Sequence, residues 1–199
     1  MLPVLPFDLR IDRMVLLTLG VLLFAGVHFI PSLAPALKTR GLNRLGENGY
    51  KGVFSLLLLI AFALMIVGWR SVEPRLWYQP PPGLHNIALG LLVVAFWLLV
   101  VSARNSRWRL LVRHPQLTGV ALWGFSHLLL NGDNRSTVLF GGMLLWSVAE
   151  IAAINRREGV WIKAAPPGWG AEAVTALIAV VTVAVVVYLH PWLSGMPVW

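Results

Sequence analysis

Two of the five histidines in this chain of 199 residues, His28 and His127, fall inside long apolar stretches. An ionisable side chain in an oily medium is costly, so each asks for a use. Three residues before each is a small residue, Ala25 or Gly124, and four after each is a polar one, Ser32 or Asn131, all on the same helical face. Small neighbours leave room for a flat macrocycle. A polar neighbour can hold one ring nitrogen and fix the tautomer in which the other binds a metal. Ligation of a haem iron by His28 and His127 is one chemistry the pattern permits; interhelical hydrogen bonding by the same imidazoles is the other. Counted at helical rise from the basic residues Lys38 and His114, His28 lies roughly 15 Å deep and His127 roughly 20 Å.

A third histidine sits differently. In Arg113-His114-Pro115 the proline marks a helix start, which places His114 near the N-cap at the membrane boundary. Arg113, His114 and the free N–H groups of that first turn are suited to an anionic group, or to plain interfacial anchoring. Glu150 is expected to pair with Arg113 or His114 across the bundle, or else to snorkel to the cytoplasmic surface. The turn Asn131-Gly132-Asp133-Asn134 has the residues that cap helices. His85, beside Pro80-Pro81-Pro82-Gly83, and His190, before Pro191, read as interfacial. The absence of cysteine excludes disulfides, iron–sulfur ligation and thiol catalysis.

The elements that must position these groups are membrane helices. With 58% hydrophobic and 12% charged residues, the chain cannot clothe itself in a surface of ordinary polarity. The apolar residues come in blocks near 16–37, 53–69, 84–103, 115–130, 137–154 and 171–189, each close to the roughly 20 residues that a hydrocarbon core requires. The expected fold is therefore all-α, a bundle of six transmembrane helices forming one membrane domain over 1–199. Pro31 inside the first span predicts a kink that Ser32 or a neighbouring helix relieves.

The net charge of +8 is carried by connectors, with no extended basic arm, so lipid head groups and not nucleic acid are the expected partners. Arg10, Arg13, Arg70, Arg75 and Arg135 make five Lys/Arg on one side; the first, third and fifth connectors hold the other eleven of the 16. The positive-inside rule then puts both termini in the periplasm. The first segment lacks the basic start of a secretory leader, so the first helix is expected to be retained. Trp69, Trp77, Trp108, Trp161, Trp169 and Trp192 fall at span ends, where an indole keeps its ring in the acyl boundary.

Three strings carry a family resemblance: Gly26-Val27-His28-Phe29, then Gly46-Glu47-Asn48-Gly49-Tyr50-Lys51, and above all RHPQLTGVALWGFSHLLLNGD from Arg113 to Asp133. On these the chain resembles, over nearly its whole length, the NnrU family of bacterial inner-membrane proteins. That family is linked to nitrite and nitric oxide reduction and is similar to the 15-cis-zeta-carotene isomerases. The resemblance implies haem b, with the isomerase-like iron ligands falling on His28 and His127 and with His114 falling on the histidine of the Arg-His-Pro element; the residues themselves add Arg113 and Asn131 as expected cofactor-binding groups. It also implies nitric oxide or nitrite reductase components as partners, and a role in denitrification. If the protein is an enzyme, the resemblance favours haem-dependent cis–trans isomerisation of a hydrophobic, carotenoid-like polyene. Arg113-His114-Pro115-Gln116-Leu117-Thr118-Gly119 is also similar to an element of the isoprenylcysteine carboxyl methyltransferases, which bind S-adenosylmethionine. Leu117 stands there in place of that element's tyrosine, and Glu150 and Glu158 are isolated where paired glutamates are expected.

Overall fold

A computed structural model of the chain describes residues 13–195, so the N-terminal stretch read for a leader lies outside the described residues. The described part is all-α. Six helices follow one another: α1 (Arg13–Leu33), α2 (Pro35–Ser71), α3 (His85–Ser102), α4 (Pro115–Leu130), α5 (Asn134–Glu158) and α6 (Trp169–Ser194), with a short 3-10 turn at Arg107–Leu110 before α4. Five of them, all but α4, are long and apolar enough to cross a membrane. Their outer faces carry bare Leu59, Leu145, Leu177 and Val180, surface that only lipid solvates well. The chain is a polytopic membrane protein.

The helices are arranged so that α1 packs on α2 and α5, α4 packs on α5 and α3, and α6 packs on α3. The core lies where α1, α2 and α5 meet and consists of Leu17, Val21, Phe24, Ala61, Met65, Met143 and Trp146. Lipid tails are as apolar as these side chains, so close van der Waals packing must hold the helices together. Glycine permits it. A Cβ on Gly68 of α2 would lie 2.5 Å from the backbone nitrogen of Leu17 on α1, and one on Gly20 of α1 would lie 2.9 Å from the carbonyl oxygen of Ala61 on α2.

The first predicted span is cut short. Pro35 starts a new helix, and a residue before proline is pushed out of the α region; Ala34 has φ −128° and ψ 56°. The basic segment expected to be a connector is instead the first arm of α2, which breaks from the rest at Gly46, whose φ of 68° favours glycine. Pro31 is accommodated within α1, where the Ser32 hydroxyl lies 3.2 Å from the Phe29 carbonyl.

The segment 72–84 folds over the turn between α4 and α5. Trp77 and Tyr78 donate their backbone N–H groups to the Gly132 carbonyl at 2.8 and 3.1 Å, Leu76 bridges to Asp133, and Asn134 N–H donates to the Arg75 carbonyl at 2.9 Å. The Tyr78 hydroxyl faces the carbonyls of Leu128 and Asn131. A side chain on Gly132 would collide with the Tyr78 carbonyl, so this approach needs glycine. Asp133 caps α5, accepting from Ser136 N–H at 3.0 Å, as the composition of the turn leads one to expect.

Candidate functional site

His127 stands in the last turn of α4, and its Nδ1 lies 2.8 Å from the Trp123 carbonyl. A carbonyl only accepts, so in this bond Nδ1 carries the proton and Nε2 the lone pair, the tautomer a metal ligand needs. The ring stacks on Phe140 of α5 with centroids 4.2 Å apart and planes at 21°. Its other side opens on a cavity of about 470 Å³. Because α4 and α6 both lean on α3, the three helices enclose a gap walled by Leu92, Val93 and Phe96 from α3 and by Val183, Val186 and Val187 from α6. The polar groups on its wall are His127, Asn131, His85 and His190. Asn131 donates its side-chain amide back to the His127 carbonyl at 3.0 Å.

The His190 ring centre is 6.4 Å from that of His127, with the planes at 31°, and the Ser194 hydroxyl lies 3.2 Å from its Nδ1. Sequence reasoning set His190 aside as interfacial because the last apolar block seemed to end at 189. The helix α6 continues through Pro191 to Ser194, so His190, one turn from the helix end, is held on a helix and lines the cavity. The signal was present as the spacing His190-Ser194, four residues apart, the same offset as His28-Ser32 and His127-Asn131.

His28 is placed elsewhere. Its Nδ1 is 2.9 Å from the Phe24 carbonyl, the same local bond that His127 makes, and its ring sits among Phe24, Trp146 and Phe54 at 4.2, 5.0 and 5.6 Å. Those residues belong to α1, α5 and α2, and His28 does not line the cavity that His127 faces. On α5 the partners of the two histidines, Phe140 and Trp146, are six residues apart, or about 9 Å along the axis. The room provided by Gly124 is taken by α5 and not by a ligand: a Cβ there would lie 2.7 Å from the Phe140 carbonyl oxygen. Among the described residues no group of three or more metal-binding side chains converges.

At the other end of α4, His114 occupies the N-cap with Pro115 following, as the sequence predicts. Its Nε2 is 2.9 Å from the Asn155 side-chain oxygen. Arg113 donates to the Gly159 carbonyl at 2.7 Å and pairs with Glu158 at 3.4 Å. The expected pairing of Glu150 with either of them does not form. Glu150 is buried and accepts from the Ser32 hydroxyl at 2.9 Å, because α5 presents this face to α1. Arg113 and His114 are therefore together at the basic end of the bundle, roughly a helix length from His127 and Asn131.

An all-helical polytopic bundle, here with a histidine-lined apolar cavity between α3, α4 and α6, defines an integral membrane protein. The chain belongs to the NnrU family: the family model, described as NnrU protein, matches residues 16–198. No curated protein and no solved structure matches it.

Proposed function

We propose that this NnrU-family protein crosses the bacterial inner membrane six times with both termini periplasmic, and that it holds haem b in the cavity between α3, α4 and α6 in support of nitrite and nitric oxide reduction. The sixth crossing is α4, only about 24 Å long at helical rise. Its support is the lacing of residues 131–134 to the segment that precedes α3: α4 ends at the level where α3 begins, and so retraverses the depth that α3 has crossed. The backbone groups freed at that end find partners in segment 72–84, as a bilayer demands. The eleven-to-five division of Lys and Arg supplies the orientation.

The observation that carries the haem reading is the pair of imidazoles on the cavity, 6.4 Å between ring centres. Two metal–imidazole bonds of about 2 Å, with roughly 1 Å more from each nitrogen to its ring centre, bring two opposed ligands to about that separation. His127 is pre-set for ligation by its bond to Trp123, and His190 faces it. The aliphatic walls exclude water from the plane between them. When bound between two imidazoles, haem iron would supply one-electron chemistry; the chain's own part is to fix the imidazole tautomer and keep the site apolar. The same aliphatic walls suit a polyene, so haem-dependent isomerisation of a hydrophobic substrate is the second reading.

The test is the Soret band of detergent-purified protein expressed with ample haem. His127→Ala and His190→Ala are expected to abolish or shift it while His28→Ala keeps it. Loss in His28→Ala with His190→Ala unchanged returns the second ligand to His28, the partner implied by the sequence. No Soret band in the native protein overturns the haem reading.

A further inference from the structure

At the basic end of the bundle lies a second cavity, about 460 Å³, between the 3-10 turn before α4 and the segment 159–168. Arg104, Arg109 and Arg113 line it, with Leu110, Trp161 and Ile162. We propose that it seats the phosphate of an anionic glycerophospholipid, with the acyl chains running along the apolar residues beside it.

Three features point to a phosphate with a lipid tail. The first is uncompensated charge. Arg104 donates to the Thr175 hydroxyl at 3.1 Å and Arg109 to the Arg104 carbonyl at 3.4 Å, so both are oriented by neutral groups, and neither forms an ion pair with a carboxylate among the described residues. Two carboxylates bond to groups of the same loop and not to Arg104 or Arg109: Glu172 accepts from the Arg107 N–H at 2.6 Å and from the Ser106 hydroxyl at 3.0 Å, and Glu158 pairs with Arg113 and Arg157. Arg104 and Arg109, which face one cavity without an ion-pair partner, repel one another, and phosphate oxygens match their planar forks.

The second feature is rigidity. Ser106 and Glu172 clamp the 3-10 turn to the start of α6, and Arg107 reaches the Pro167 carbonyl at 3.0 Å while lying over the Trp169 ring. Arginines on a fixed loop lose little entropy on meeting a ligand.

The third is the apolar surface of the loops that form the cavity. Ile162, which lines it, is 90% exposed, and Val160 and Leu111, next in sequence to the lining residues Trp161 and Leu110, are 89% and 70% exposed. Water-facing loops do not normally carry such residues together, whereas an acyl boundary accepts them. Basic pockets between membrane helices are suited to phospholipid head groups.

The experiment is lipid titration of the detergent-purified full chain by native mass spectrometry, with phosphatidylglycerol, zwitterionic phosphatidylethanolamine and inorganic phosphate as probes. Native protein is expected to bind one phosphatidylglycerol saturably and in preference to phosphatidylethanolamine. Arg109→Gln is expected to weaken that binding by about tenfold or more, the scale of a charge-assisted hydrogen bond, whereas Arg44→Gln on the exposed arm of α2 changes it by about fivefold or less, the scale of one surface charge. Ala164→Trp, which fills the cavity without altering charge, should also expel the lipid. Equal effects of Arg109→Gln and Arg44→Gln, or native binding by Ala164→Trp, overturn the site. Full displacement by inorganic phosphate at an affinity equal to that of the lipid overturns the lipid assignment and leaves a simple anion site.

Discussion

Replacing Gly124 by alanine tests how the bundle positions His127. The added Cβ would lie 2.7 Å from the Phe140 carbonyl oxygen and 3.3 Å from the Cβ and backbone nitrogen of Leu144. Carbon contacts relax at about 3.5 Å, so α4 must move off α5 by about 0.8 Å. Such overpacking costs about 1–3 kcal/mol. Alanine also returns up to about 1 kcal/mol in helix propensity, which would blur the result if the variant stood alone. Gly141→Ala is the correction: it is on α5, a Cβ there meets nothing within 4 Å, and it carries the propensity gain by itself. The difference between the two variants is then the steric cost, about 1–3 kcal/mol against Gly124→Ala. Unfolding in mixed detergent micelles, followed by tryptophan fluorescence, measures it. Because His127 is three residues beyond Gly124 and stacks on Phe140, the same displacement should, if haem binds as proposed, disturb the Soret band more in Gly124→Ala than in Gly141→Ala. If Gly124→Ala is as stable as Gly141→Ala, the close approach of α4 and α5 does not hold the site.

Tyr78→Phe removes the hydroxyl that faces the Leu128 and Asn131 carbonyls and should cost about 1 kcal/mol in the same assay at neutral pH. Burial, and secondarily the charge of Asp133, raise the ionisation of Tyr78 above its ordinary 10.0. The unfolded chain therefore loses this proton first as pH rises, so the contribution is complete below about pH 10 and falls away above it; an unchanged native-to-Phe difference between pH 9 and 11.5 would refute this. Glu172→Ala takes the acceptor from the Arg107 N–H and the Ser106 hydroxyl, and should loosen the 3-10 turn by about 1.5–3 kcal/mol. Trypsin should then cut after Arg107 and Arg109 faster than in the native protein, and equal cleavage would count against the clamp.

The membrane class, the α4 boundaries and the capping turn follow from local chemistry, which is why the sequence displays them. A run of apolar residues declares its solvent, Pro115 declares a helix start, and Asp133 and Asn134 declare another. Where the prediction misses, a non-local or conformational preference has decided. The break at Gly46 and the start at Pro35 turn a supposed connector into a helical arm, because basic residues such as Lys38, Arg40 and Arg44 are as compatible with helix as with loop. The extension of α6 past Pro191 was hidden because proline early in a final turn removes one bond without ending the helix.

The choice of partner for His127 depended on something no periodicity contains. A repeat of 3.6 residues says which side chains share a face, but the polar neighbours it offers do not hold the ring nitrogens as expected: Ser32 bonds to Phe29 and Glu150, Asn131 to the His127 carbonyl, and the rings to the carbonyls of Phe24 and Trp123. Nor does the repeat say which neighbour each face meets. In the structure α5 packs against both α1 and α4, and its aromatic residues receive the two imidazoles separately, Trp146 taking His28 and Phe140 taking His127. With α5 between them the rings of His28 and His127 do not face one space, whereas α4 and α6, which share α3 as a support, leave a gap between them. The same order explains Glu150, which lies on the α1 side of α5 and so meets Ser32 instead of the arginine and histidine at the start of α4. Packing order thus parts His28 from His127 and sets His190 beside it, which is why the haem proposal tests His190 on α6 against His28 on α1 as the second ligand.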